Sequence, residues 1–181
     1  MVSVALPYDM KPSFAPDALR LSRYALGSDY HDVVKNRLRQ MVRLLGFDPA
    51  CDGRICCDTA PVDERYWAWR TGVGRWLRSG LISVRGHGTC VVLGEWLAPF
   101  PMAEAEVAAD TVPPLPPAEE CLRCGRCLAA CPGGALGGGG LDARRCLSYL
   151  SIEHRGAFPD CDEHTPARRA ALSRCFYGCD R

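Results

Sequence analysis

Val2, Val4 and Leu6 alternate with small residues ahead of Pro7, a period-2 pattern that predicts a short strand. A loop carrying Pro12 and Pro16 follows. From Asp29 to Leu45 the period changes: Tyr30, Val33, Val34, Leu38, Met41, Val42 and Leu45 recur three and four residues apart. This predicts an amphipathic helix with Ser28 as its N-cap and Gly46 as its C-terminal stop. Arg54–Cys57 reads as a buried strand, and 62–70, with Tyr66, Trp67 and Trp69, as a short helix. Two β-rich runs, 81–84 and 89–97, flank Arg85-Gly86-His87-Gly88 and predict a hairpin or tight turn.

The pattern then stops. Six prolines between Ala98 and Ala118 exclude a helix or a central strand, so 98–120 reads as a linker. Beyond it come a run of cysteines, the glycine tract Gly137–Gly140, a short helix from Asp142 to about Glu153, and a last helix capped by Thr165 with Pro166 at its first position. The organisation expected is therefore α+β: a mixed α/β domain at 1–97, the linker at 98–120, and a cysteine module at 121–181.

A chain of 181 residues can bury one core and support a small appended module. Its net charge of +1, with charges spread throughout, gives no basic field that would hold a long stretch of nucleic acid. No segment reaches the roughly 18 consecutive apolar residues of a spanning helix. The N-terminus MVSVALPYDM lacks a basic region followed by an extended apolar one, which places the protein in the cytoplasm, away from membranes.

Twelve cysteines exceed what an ordinary reduced core uses. Gaps of two residues suit a metal or cluster better than a disulfide framework. Cys121, Cys124, Cys127 and Cys131, followed by Pro132, form a Cys-x2-Cys-x2-Cys-x3-Cys-Pro run. In that spacing three soft thiolates can converge on one cube while the fourth points to a neighbouring cluster, as in bacterial two-cluster ferredoxins. A zinc knuckle is the plainer alternative, although zinc usually takes two separated pairs, and free buried cysteines are another. A second cluster would draw on Cys146, Cys161, Cys175 and Cys179.

Several blocks together resemble the epoxyqueuosine reductase family: Ser22-Arg23-Tyr24-Ala25-Leu26-Gly27-Ser28-Asp29-Tyr30-His31, Asp58-Thr59-Ala60-Pro61-Val62, Leu93-Gly94-Glu95, the cysteine run, 141–153 around Cys146, and Tyr177-Gly178-Cys179-Asp180. The resemblance implies a cobalamin-binding-type α/β domain followed by a ferredoxin-like 4Fe-4S module. It implies an enzyme that reduces the epoxide of epoxyqueuosine in tRNA to queuosine, electrons passing through the clusters to cobalamin. Asp58 would be the proton donor, its acidity weakened by desolvation in the site. On residue chemistry alone, Asp58 would instead cap the helix beginning near Val62 or shape the Asp-Thr-Ala-Pro turn. By the same resemblance Cys121, Cys124 and Cys127 hold one cluster, Cys131, Cys146 and Cys179 belong to the second, and Ser148 and Asp180 lie close to the cobalamin. The implied partners are tRNA, held weakly by this chain, and an electron-donor protein.

The chain departs from the family pattern in three places. Family members continue beyond the Tyr-Gly-Cys-Asp block with two further cysteines and helical repeats, which leaves each cluster one ligand short unless Cys161 or Cys175 substitutes or an outside ligand joins three thiolates. The chain begins inside the family's first domain. A Gly-Trp-x-Gly-Lys stretch appears as Gly74-Arg75-Trp76-Leu77-Arg78. The competing expectations are a non-catalytic 4Fe-4S electron-transfer protein and an incomplete, inactive family fragment.

Overall fold

The computed structural model describes residues 1–8, 14–15, 18–100, 121–137, 140–158 and 164–179. The fold comprises two units. The first takes in Met1–Tyr8, Ser28–Leu77 and the described part of Leu81–Leu122; the second takes in the described parts of Asp9–Gly27 and Arg123–Arg181, with Arg78–Gly80. Among the described residues no helix is long and apolar enough to cross a membrane.

The first unit is built on a three-stranded antiparallel sheet in the order β1 (Val2–Pro7), β6 (Val91–Leu97), β3 (Arg54–Cys56). The predicted first strand is present and ends one residue later than expected. Helix α1 (Tyr30–Leu44) carries the three-and-four periodicity: Val34, Leu38 and Val42 are buried, and Val34 and Leu38 form a core with Cys57, flanked by Val4, Leu6, Ile55 and Val92. Its N-cap is Asp29, whose carboxylate accepts the His31 N–H at 2.9 Å; the expected cap, Ser28, lies one residue outside. Gly46, at φ +85°, ends the helix as expected, with Gly46 N–H bonded to Arg43 O and Phe47 N–H to Val42 O.

Side chains alternate across β6, so Gly94 and Glu95 point to opposite faces. Gly94 faces α1, where a Cβ would collide with Val34 Cγ1. Glu95 faces helix α2 (Glu64–Arg70), so the sheet lies between the two helices. Asp63 caps α2 by accepting the Tyr66 N–H at 3.1 Å. Of the two expected outcomes at Arg85–Gly88, the tight turn forms, closed by backbone hydrogen bonds of 2.8 Å exchanged between Val84 and Gly88, whereas the two β-rich runs do not pair with each other. β5 (Ile82–Ser83) pairs instead with β4 (Arg75–Trp76), while β6 is occupied by β1 and β3, and only an isolated bridge joins Val84 to Gly88. A central strand can satisfy only two neighbours, and both edges of β6 are taken by β1 and β3.

The second unit pairs β2 (Arg20–Leu21) in parallel with β9 (Cys175–Tyr177), a contact between segments far apart in sequence. Between them lie α3 (Arg126–Ala130), the paired strands β7 (Leu136–Gly137) and β8 (Gly140–Leu141), α4 (Leu147–Ile152) and α5 (Thr165–Leu172). Ala135, Leu147, Leu150 and Ala171 are its buried apolar residues. The helix expected over 142–153 is broken at Cys146. A 3-10 turn, Ala143–Arg145, is capped by Asp142, Cys146 is extended at φ −75° and ψ 124°, and α4 starts after it. Thr165, expected as a cap, is the first residue of α5, with His164 before it. The linker residues 101–120 lie outside the described residues.

Candidate functional site

The end of β3 is anchored by two adjacent core cysteines. Cys56 and Cys57 are buried, and the Cys57 thiol donates to Leu93 O at 3.3 Å. Burial pushes the Cys57 thiol up to about 12 and raises Cys56 as well, so both are inert thiols of the core. The next residue is Asp58. The Thr59 N–H bonds to Cys57 O at 2.7 Å, closing a three-residue turn with Asp58 at its centre at φ +60°. That is the strained form of such a turn, and a non-glycine residue holds it only where surrounding contacts over-determine it.

Those contacts come from both ends of Asp58. Its backbone N–H donates to Glu64 Oε1 at the start of α2. Its carboxylate Oδ2 accepts from the Tyr30 hydroxyl at 3.1 Å and lies 3.1 Å from His31 Nε2. The other ring nitrogen, His31 Nδ1, lies 2.7 Å from Asp29 Oδ1, and the Tyr30 and His31 rings stack with centroids 4.0 Å apart. A neutral imidazole has one N–H, so carboxylates at both nitrogens are satisfied together only by the doubly protonated ring. Partial burial lowers the His31 pKa, but the hydrogen bonds to Asp58 and Asp29 outweigh it and the net shift is upward. Asp29 is correspondingly lowered by its bond to His31. The α1 N-terminus therefore brings an imidazole whose protonated form is favoured, and a hydroxyl, to Asp58.

Asp58 opens onto a cleft of about 490 Å³, lined also by Ala60, Pro61, Val62, Asp63, Glu64 and Arg65. Its side chain is 61% exposed, so the chain does not itself supply the desolvation expected of the site; donors, not burial, define the surroundings of this carboxylate. Asp58 does not cap α2, since Asp63 does. The turn-shaping alternative is partly realised, in that Asp58 occupies the turn with its carboxylate directed to α1. Sequence reasoning missed Tyr30, His31, Glu64 and Glu95 as site residues. The available signals were Tyr30-His31 next to a helix start and a glutamate in the middle of the apolar run 91–97.

In the second unit, Arg123 at φ +51° and Gly125 at φ +75° curl the chain around Cys124. The Cys131 sulfur accepts the Ala135 N–H at 3.2 Å, the kind of bond that stabilises a thiolate. Cys121, Cys127, Cys131, Cys146 and Cys179 are half-buried and Cys124 is exposed. Ser148 is half-buried on α4. Its carbonyl accepts from Ser151 Oγ at 3.1 Å, and Ser151 Oγ accepts the Gly178 N–H at 3.0 Å. Gly178, at φ +74°, packs on Ser22, where a Cβ would clash. The segments around Cys146, Ser148 and Cys179 are thus brought together. Among the described residues, no three His, Cys, Asp or Glu side chains stand together so as to hold a metal ion. The chemistry and spacing of the run from Cys121 to Cys131 are those of cluster ligands. Cys161 and Asp180 lie outside the described residues.

A mixed α/β unit with a carboxylate at a cleft, joined to a cysteine module of ferredoxin type, is the class defined by this fold and its sites. Residues 1–59 match the family described as epoxyqueuosine reductase QueG, DUF1730, and residues 120–181 match the 4Fe-4S double cluster binding domain. The chain belongs to the epoxyqueuosine reductase family. It is 38% identical over 168 residues to epoxyqueuosine reductase of Burkholderia pseudomallei, covering 91% of this chain and 39% of the relative. A solved epoxyqueuosine reductase in complex with an epoxyqueuosine-modified tRNA-Tyr stem loop superposes with a TM-score of 0.69 at 30% identity, covering 98% of this chain and 45% of that one. The Bacillus subtilis enzyme, in a structure described with its catalytic aspartate loop swung out of the active site, gives a TM-score of 0.62 at 28% identity over 98% of this chain and 45% of that one. The chain thus spans less than half the length of these relatives.

Proposed function

We propose that the protein is an oxidoreductase that reduces the epoxide of epoxyqueuosine in tRNA to queuosine, with Asp58 as its acid. The observation that carries this reading is the Asp58 carboxylate held at a cleft mouth by the Tyr30 hydroxyl and His31, with Asp29 behind His31. Removing an epoxide oxygen as water consumes protons as well as electrons. The family resemblance assigns the electrons to cobalamin and 4Fe-4S clusters, the latter on Cys121, Cys124, Cys127, Cys131, Cys146 and Cys179, with Ser148 and Asp180 towards the cobalamin. This chain's residues answer for the protons. His31 Nε2 and Asp58 Oδ2 face each other at the mouth of the cleft, where a proton can pass between them; Asp29 orients the imidazole and favours its protonated form, and Tyr30 fixes the same carboxylate oxygen. The catalytic loop named by its aspartate in the Bacillus subtilis relative and the tRNA stem loop bound by another support the assignment.

The test is Asp58→Asn. Asparagine keeps the shape and tolerates the left-handed turn, but it has no proton to give at neutral pH. Turnover should be abolished, with iron content and cobalamin binding retained. An Asn variant that turns over normally sinks the assignment, and one that unfolds or loses its iron makes Asp58 a structural residue.

A further inference from the structure

Glu95 lies within β6 with no exposed surface, and neither of its carboxyl oxygens meets a hydrogen-bond donor among the described residues. An ionised carboxylate in that position would carry an uncompensated desolvation cost, and such a group takes up a proton instead. Its neighbour across the interface with α2 is another carboxyl, Glu64, close enough to share that proton. Two adjoining carboxyls cannot both ionise cheaply, and one proton converts one of them into the donor the other lacks. Burial, then the charge of Glu64, push Glu95 up to about 8, and burial raises Glu64 too. Asp58 and Asp63 add further negative charge around the pair, His31 acts on Glu64 from α1, and Cys56 and Cys57 flank the pair from β3 with Lys35 and Arg54 as their nearby cations.

Glu64 has a second bond. Its Oε1 accepts the backbone N–H of Asp58, at the centre of the strained turn. We propose that the proton-sharing pair Glu64–Glu95 is the positioning latch of Asp58: Glu95 donates to Glu64, and Glu64 thereby keeps an oxygen fixed under the Asp58 amide. Removing the shared proton places two negative charges in one buried space, and the bond to the Asp58 amide yields. Glu64 and Glu95 are positioning residues, acting through the turn. Their catalytic importance rests on the reading of Asp58 given above; the latch itself does not.

Difference infrared spectroscopy of the whole chain, titrated from about one pH unit below to one above 8, follows the C=O stretch of a protonated carboxyl. NMR of the same samples follows the Asp58 backbone amide. The expected result is an acid band at neutral pH that disappears on passing through about 8, and an Asp58 amide proton that is downfield at neutral pH and moves upfield with the same midpoint. In Glu95→Gln the band should be absent and the Asp58 amide should stay downfield throughout, because glutamine always offers Glu64 an N–H. In Glu64→Ala the amide should be upfield at every pH. No acid band at neutral pH overturns the proposal, as does a band that titrates while the Asp58 amide stays still. Should Glu95→Gln not fold, the two wild-type titrations still decide. These readouts need no turnover, so an absence of reductase activity would defeat the functional reading and leave the latch standing, whereas a silent Asp58 amide would defeat the latch alone.

Discussion

At the scale of single residues, the site depends on a histidine between two carboxylates. Asp29 and Asp58 hold the His31 pKa above its ordinary value against the opposing effect of partial burial. Replacing Asp29 with Asn removes one of the two acceptors of a doubly protonated ring, so the NMR titration midpoint of His31 should fall towards the ordinary histidine value. An unchanged midpoint would mean that Asp29 does no more than cap α1. The linkage has a definite sign. The folded His31 pKa is raised, so the stability from these pairs is fully present below the unfolded value of about 6.5 and is lost as pH rises through the folded one. Both carboxylates are 61% exposed, which keeps that contribution small compared with the effect on proton supply.

At the scale of elements, strand β6 assigns opposite tasks to consecutive residues. Gly94 admits α1 to within contact of the sheet, while Glu95 turns away into the α2 face. Gly94→Val would drive two methyl groups into Val34 and Leu38, with an expected loss of about 1–3 kcal/mol, typical of overpacking. Chemical denaturation would show the loss as a lower midpoint with an unchanged slope. A neutral result would show that α1 can move off the sheet freely. Helix α1 was legible because a long periodic segment with a cap at one end and a glycine at the other leaves few alternatives. The tight turn at Arg85–Gly88 was legible, but the pairing of the short β-rich runs was not, because their partners depend on segments elsewhere in the chain.

At the scale of the whole molecule, the question is what the cysteines hold. Cys56 and Cys57 belong to the core, while Cys131 already offers its sulfur to a backbone N–H as a liganding thiolate does. The proposal that the run from Cys121 to Cys131 ligates iron and sulfide predicts a brown protein after anaerobic preparation from iron-replete cells, with acid-labile sulfide in proportion to iron. A colourless protein with stoichiometric zinc and no sulfide would return the run to the zinc alternative. Deprotonated thiolates packed together repel one another until a cation joins them, so cluster assembly and final folding of this module should be coupled. Thermal stability should therefore rise on reconstitution.

What the sequence determined by itself was everything written in local order: the α1 periodicity and its stop at Gly46, the strand at Val2–Pro7, the ligand spacing of the cysteine run and the blocks that mark the family. Those features depend on neighbours a few residues apart, where spacing and chemistry are read directly. Tertiary structure alone decided that Tyr30 and His31 meet Asp58 across 28 and 27 residues, and that Glu95 meets Glu64. It also decided that Arg20–Leu21 finds Cys175–Tyr177 as its partner. The physical reason is that a side chain's charge state and a short strand's partner are set by what burial and chain reversal bring beside them, and no local pattern encodes that neighbour.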